Sequence, residues 1–173
     1  MHQLILLRHA KAARPSLEFS DHDRPLTPEG KHAAVAIGQM MRKSGLVPDV
    51  VLVSSALRTQ ETLDALEAAS VWDERPNIDT LPGLYMATAR QIRDILRDLP
   101  ETIRSVLVIG HNPGIHESAL GLAGPASAKP ELNLLNEGYP TASLAEFLIT
   151  TPWHKIAPGT ATLQRFIRPV ALL

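Results

Sequence analysis

Two histidines and two arginines in this chain stand where short apolar runs end. Leu4-Ile5-Leu6-Leu7 runs into Arg8-His9; Val50-Val51-Leu52-Val53 runs into Ser54-Ser55, with Arg58 just beyond; Val106-Leu107-Val108-Ile109 runs into Gly110-His111-Asn112-Pro113-Gly114. A neutral imidazole is nucleophilic near pH 7 and splits one hard displacement into two easier ones. A guanidinium holds two oxygens of a tetrahedral anion through its planar fork. If the three runs are neighbouring parallel strands, this is equipment for moving a phosphoryl group through a histidine.

His9 is the candidate nucleophile and Arg8 its neighbouring phosphate clamp. One histidine at a strand end is more often structural, but an adjacent Arg-His pair closing a buried strand favours chemistry. Arg58 falls in the first turn of a helix, where a cation opposes the positive dipole end at a cost of roughly 0.3–1 kcal/mol. An anion held between Arg58 and the helix terminus turns that conflict into attraction. His111, between Gly110 and a helix start, is placed to donate to a charged transition state. Arg24, Lys11 and Asn112 are candidates for substrate binding; for the first two, pairing with Asp21 or Asp23 and plain solvation are the alternatives.

The elements that must position these groups follow from pattern. The first strand, at about residues 3–7, is apolar without alternation, as expected when helices cover both faces. Residues 10–26 form a long polar connection of the kind that is often functional. Thr27-Pro28-Glu29 opens a helix running to about Lys43, which Gly45 ends. A second strand (50–53) leads to a helix that Ser55 can cap, with a buried stripe including Leu57, Leu63 and Leu66. A short strand near Ile78, a helix at about 88–98, a strand at 105–109 and a helix from Asn112-Pro113-Gly114 follow. Residues 124–141, with three prolines, read as an irregular excursion. Two late strands fall at about 143–150 and 161–167. This alternation argues for a mainly parallel sheet between helical layers in one domain over 1–173, with ligands beyond the carboxyl ends of its strands.

Composition narrows the function. The 173 residues are 45% hydrophobic and 20% charged, which excludes disorder. A net charge of −1 argues against a general nucleic-acid binder. There is no cysteine, hence no disulfide or thiolate chemistry. No apolar stretch is long enough for a bilayer, so a cytoplasmic protein without membrane partners is expected. The oligomeric state stays open. His22 and His32 match no compact metal-ligand spacing with His111 or His116, and no metal or cofactor is expected. His116 reads as an ordinary helical residue, and His2 and His154 as exposed. Gly121 to Gly124 lacks the Lys-Ser/Thr of an NTPase phosphate loop.

Leu6-Leu7-Arg8-His9-Ala10-Lys11, Leu26-Thr27-Pro28-Glu29-Gly30, Ser54 through Thr62, and Gly110-His111-Asn112 occur in this order. Together they resemble the histidine phosphatase superfamily, which includes the phosphoglycerate mutases. The short length, Asp23-Arg24-Pro25-Leu26-Thr27 and His111-Asn112-Pro113-Gly114 are most similar to its SixA-type phosphohistidine phosphatases. The resemblance implies a phosphoglycerate mutase-like three-layer α/β/α sandwich with a mainly parallel central sheet. It implies catalysis by His9 with Arg8, Arg58 and His111 around the phosphate. Many relatives carry a leaving-group acid where this chain has Leu81-Pro82-Gly83-Leu84-Tyr85-Met86-Ala87, without a carboxylate. The nearest upstream is Asp79; Glu18, Asp21 and Asp23 in the early loop, or Tyr85, are the remaining sources of help. An imidazole leaving group, with conjugate-acid pKa about 6.5, needs far less help than an alkoxide. The expected partner is therefore a protein phosphorylated on histidine. A small phosphorylated substrate, or a phospho-ligand binding module without turnover, are the alternatives.

Overall fold

The computed structural model describes residues 1–69 and 71–172. Six strands form one sheet: β1 (His2–Arg8), β2 (Val50–Ser54), β3 (Asn77–Leu81), β4 (Ser105–Gly110), β5 (Leu144–Ile149) and β6 (Ala161–Ile167). Their order is β3-β2-β4-β1-β5-β6. The first four in that order are mutually parallel, β5 is antiparallel to β1, and β6 is antiparallel to β5. The register aligns Leu7 and Val53 with Ile109, and Arg8 with Gly110. Three chemically loaded strand ends are thus level at one edge.

Helices α1 (Pro28–Lys43), α2 (Leu57–Ala68), α3 (Ala89–Arg97), α4 (Gly114–Leu122) and α5 (Lys129–Glu137) fill the outer layers. Successive strand residues point to opposite faces. Leu4, Leu6, Leu52, Val106 and Val108 therefore pack with Ile92, Leu96, Ile115 and Leu135 of α3, α4 and α5. Ile5, Leu7, Val51, Val53, Leu107 and Ile109 pack with Ala34, Ile37, Leu63 and Leu66 of α1 and α2. Both faces of the central strands are covered, which is why they carry no polar alternation. Truncating a side chain such as Ile37, fully buried, to Ala is expected to cost about 2–5 kcal/mol.

Local signals set the helix ends. Thr27 Oγ1 accepts the Gly30 N–H at 3.0 Å, capping α1. At the other end Gly45 has φ +67, Leu46 N–H bonds Met41 O at 2.9 Å and Gly45 N–H bonds Arg42 O at 3.2 Å, a Schellman motif. Thr88 and Gln91 form a reciprocal capping box on α3. Among the described residues no helix is long and apolar enough to cross a membrane.

Four expectations are corrected. Residues 124–141 contain α5; Pro130 stands in its first turn, where the missing N–H breaks no intrahelical bond. Ser55 does not cap α2: its N-cap is Ala56, whose N–H bonds Ser54 Oγ at 3.3 Å. Leu57 is not in the buried stripe of α2; its inner face holds Arg58, Thr59 and Thr62 beside Leu63 and Leu66. His2 is not exposed: it begins β1, stacks on Trp153 at 4.5 Å and meets Glu101 Oε2 at 2.8 Å. The charged partner and the indole lie about 100 and 150 residues away in sequence, so no local pattern announces them.

Candidate active site

β1 delivers Arg8 and, one residue past its end, His9. The backbone of His9 continues the sheet: its N–H donates to Gly110 O at 3.0 Å, and its carbonyl accepts from Ala142 N–H at 3.0 Å. The residue is 7% exposed. Its Nδ1 donates to Ala10 O at 2.7 Å. That bond assigns the proton to Nδ1 and leaves the Nε2 lone pair free. Burial, with Arg8, Arg58 and Arg24 nearby, lowers the His9 pKa to about 4 against the opposing pull of the Ala10 carbonyl. The ring is neutral at physiological pH.

β4 delivers His111. Its ring lies 5.3 Å from that of His9, centroid to centroid, at 53°. Its Nε2 meets Ser54 Oγ, from the end of β2, at 2.8 Å. Burial first, then the neighbouring His9 and Arg58, lowers its pKa to about 3. Two imidazoles 102 positions apart in the chain therefore face one space.

Arg58, on the first turn of α2, is 2% exposed. Its Nη1 donates to Asp21 O at 2.7 Å and its Nη2 to Asp21 Oδ2 at 3.2 Å, and the guanidinium stands 5.8 Å over the Tyr85 ring. The Asp21 carboxylate also meets Arg24 Nε at 3.1 Å and accepts from the Tyr85 hydroxyl. The tyrosine bond foremost, then Arg58 and Arg24, holds its pKa at about 2, against partial desolvation. Arg8 Nη1 and Asn112 Nδ2 both donate to Tyr139 O, at 2.9 and 3.0 Å. Arg24 Nη1 donates to Ala13 O at 2.7 Å, and Lys11 pairs with Glu29 at 2.9 Å on the surface.

Arg8, His9, Arg58, His111, Arg24, Asn112 and Lys11 all line one cavity of about 310 Å³, completed by Ala12, Asp21, Met86 and Thr141. Three arginines and a lysine face a single carboxylate there. Such a wall selects a compact anion of more than one negative charge.

The polar face of α2 explains the spacing of its motif. Thr62 Oγ1 accepts the Ala10 N–H at 3.0 Å and donates to Arg58 O at 2.7 Å. Thr59 Oγ1 and Gln60 Nε2 both donate to Ser54 O at 2.9 Å, and Glu61 Oε1 accepts from Leu26 N–H at 2.8 Å. On the other side, the Cβ that any larger residue would add at Gly30 would lie 2.1 Å from Lys11 O. The motif residues thus clamp the segment after His9 between α1 and α2.

Of the early-loop carboxylates it is Asp21 that reaches the cavity, while Asp23 pairs with His22 and Ser20. His22 stacks on Tyr85 at 4.9 Å, nearly parallel, and its Nε2 meets Ser55 Oγ at 2.9 Å. His116 does more than ride its helix, because its Nε2 donates to Leu135 O at 2.7 Å and ties α4 to α5. Tyr139 and Thr62 were missed by sequence reasoning. Tyr139 lies in the proline-rich excursion with no pattern around it, whereas Thr62 was visible as part of the Arg58 motif but without a role.

Residues 4–85 match the family model of the histidine phosphatase superfamily, branch 1. A solved protein from Nakamurella multipartitia, described as a candidate phosphohistidine phosphatase SixA, is 31% identical and superposes with a TM-score of 0.82 over 98% of this chain and 96% of that one. An uncharacterized protein of Mycobacterium tuberculosis is 30% identical over 166 residues, 94% of this chain and 99% of the relative. An uncharacterized chloroplastic protein of Arabidopsis thaliana is 34% identical over 130 residues; the match covers 70% of this chain and 59% of that relative's length. The chain belongs to the histidine phosphatase superfamily. Within it, the chain is of the SixA type.

Proposed function

We propose that this protein is a phosphatase that works through a phosphohistidine at Nε2 of His9, and that its substrate is phosphohistidine in a protein. The observation that carries the reading is the 2.7 Å bond from His9 Nδ1 to Ala10 O, which leaves Nε2 unprotonated on a ring that lines a cationic cavity. Nε2 attacks phosphorus in line, and the P–N bond breaks as the substrate ring, protonated on its other nitrogen from solvent, leaves as neutral imidazole. Arg8, Arg58 and His111 stabilise the equatorial oxygens as charge shifts. Water then attacks phospho-His9. The P–Nε2 bond breaks, and the protons of the water leave with inorganic phosphate and solvent.

The substrate class is supported by the SixA likeness and by the state of the groups near the leaving group. Asp21, with its pKa at about 2, has no proton to give near pH 7. Its bond to the Tyr85 hydroxyl raises the tyrosine pKa, so that proton is held more firmly. Neither is matched to the general-acid task an alkoxide demands. An imidazole leaves without it.

The test is direct. His9→Ala abolishes turnover, and rapid quench of the wild type traps acid-labile phosphate on the enzyme. Retained turnover in His9→Ala removes the nucleophile assignment. Faster hydrolysis of sugar phosphates than of a phosphohistidine peptide moves the substrate to small phosphomonoesters. Tight phosphate binding with no release from any aryl phosphate makes the site a binding module.

A further inference from the structure

The chain leaves the cavity wall at Ala12 and rejoins it at Asp21. The base of that loop is stapled: Ala13 N–H donates to Pro25 O at 2.8 Å, Arg24 Nη1 bonds Ala13 O, and Ala12 bridges Leu26. Above the staple the loop carries two apolar side chains into solvent. Leu17 is fully exposed and Phe19 is 37% exposed. Phe19 stands two residues from Asp21, within about 7 Å along the chain. Met86 is 48% exposed, and its Sδ lies 3.7 Å from Arg58 Nη2, the same atom that bonds Asp21 Oδ2 at 3.2 Å. Leu57, also partly exposed, precedes Arg58.

Eight large hydrophobic side chains are exposed among the described residues, and these four belong to segments that build the cavity. Three of the others, Met1, Val170 and Leu172, lie at the chain ends. Single exposed apolar residues are ordinary, but several carried by the segments that build one polar site mark a surface that meets another molecule. The charge of the loop narrows the partner. Lys11, Arg14 and Arg24 balance Glu18, Asp21 and Asp23. A neutral loop has no pull on an anionic lipid surface or a polyanion. With the loop balanced, Arg8 and Arg58 leave the cavity wall positive. The complementary surface is apolar with one dianion at its centre.

We propose that Leu17, Phe19 and Met86 form a docking rim for a folded protein that presents phosphohistidine from an apolar face. This rests on the phosphatase reading and deepens it: the rim selects the carrier, while the cavity handles the phosphoryl group. A free phosphoramidate reaches the same cavity without touching the rim.

The experiment compares the wild type with the double variant Leu17→Ser/Phe19→Ser, two solvent-exposed loop positions outside the cavity wall. The substrates are phosphoramidate and a histidine-phosphorylated carrier protein. The expected result is a fall of about tenfold or more in kcat/KM for the phosphoprotein, with phosphoramidate changed by less than about twofold. Equal effects on both substrates, or no effect on the phosphoprotein, overturn the rim. So does wild-type turnover of phosphoramidate alone. Binding of the wild type, but not the variant, to phosphatidylcholine–phosphatidylserine vesicles makes the rim a membrane contact and overturns it too. A wild type inactive on both substrates overturns the phosphatase reading itself, and the rim with it.

Discussion

Thr62 accepts the backbone N–H of Ala10 at 3.0 Å, one residue past the candidate nucleophile. The same hydroxyl donates to the carbonyl of Arg58 at 2.7 Å. One buried side chain thus couples the segment carrying His9 to the helix carrying Arg58. Thr62→Val keeps the shape and removes both bonds. It is expected to cost about 1–3 kcal/mol in urea unfolding, because a buried N–H and C=O lose a partner. Turnover falls with it, and Thr62→Ser restores both.

The pH dependence follows from the two depressed imidazoles. His9 must be neutral to attack, and its pKa is about 4. The acid limb of kcat/KM for the free enzyme therefore lies near pH 4, and not near 6.5 as for an ordinary histidine. A limb at 6.5 contradicts the neutral, desolvated ring. Stability moves in the same window. Above pH 6.5 neither state binds these protons. Below it the unfolded chain takes up protons that folded His9 and His111 refuse until about 4 and 3. Stability is therefore lost as pH falls from about 6.5 towards 4. Asp21 has the usual carboxylate sense: its contribution is present above its unfolded pKa and is lost only as pH falls through about 2. Its exposure keeps that contribution small. Urea titrations at pH 7 and 5 read the histidine effect.

Asp21→Asn distinguishes positioning from proton donation. The change weakens the hold on Arg58 and Arg24 and leaves no acid to lose. KM for a phosphoramidate is expected to rise, with kcat falling by less than about tenfold, well below the roughly hundredfold at the low end for a missing general acid. A much larger kcat loss, growing with leaving-group pKa across a series of aryl phosphates, shows that Asp21 delivers a proton.

Gly114→Ala tests the close approach that seats α4. A Cβ there would lie 1.9 Å from Ala87 O, a backbone atom of the segment that also carries Tyr85 and Met86. Relief requires that segment to move, at a cost of about 1–3 kcal/mol. Thermal unfolding measures it. Activity is expected to fall as well, because α4 begins three residues after His111.

Much of the site was readable from the chain because its grammar is local. An apolar run followed by Arg8-His9 reads as a strand end with its chemistry beyond it. Thr27-Pro28-Glu29 is a helix start wherever it occurs. The five clearest strands and their carboxyl-end residues needed no more than that. The missing acid in Leu81–Ala87 was equally plain.

Other features depend on atoms that meet only after folding. Among three loop carboxylates, Asp21 was singled out by Arg58 and Tyr85, 37 and 64 residues away. Tyr139, silent in sequence, became the shared acceptor for Arg8 and Asn112. Gly30 looked like a motif letter until the backbone of Lys11 filled the space its side chain would need. Hydrophobic period and capping chemistry act between neighbours along the chain and survive as pattern. Desolvation, tautomer choice and steric exclusion depend on whatever packs alongside, and packing brings together residues that sequence keeps apart.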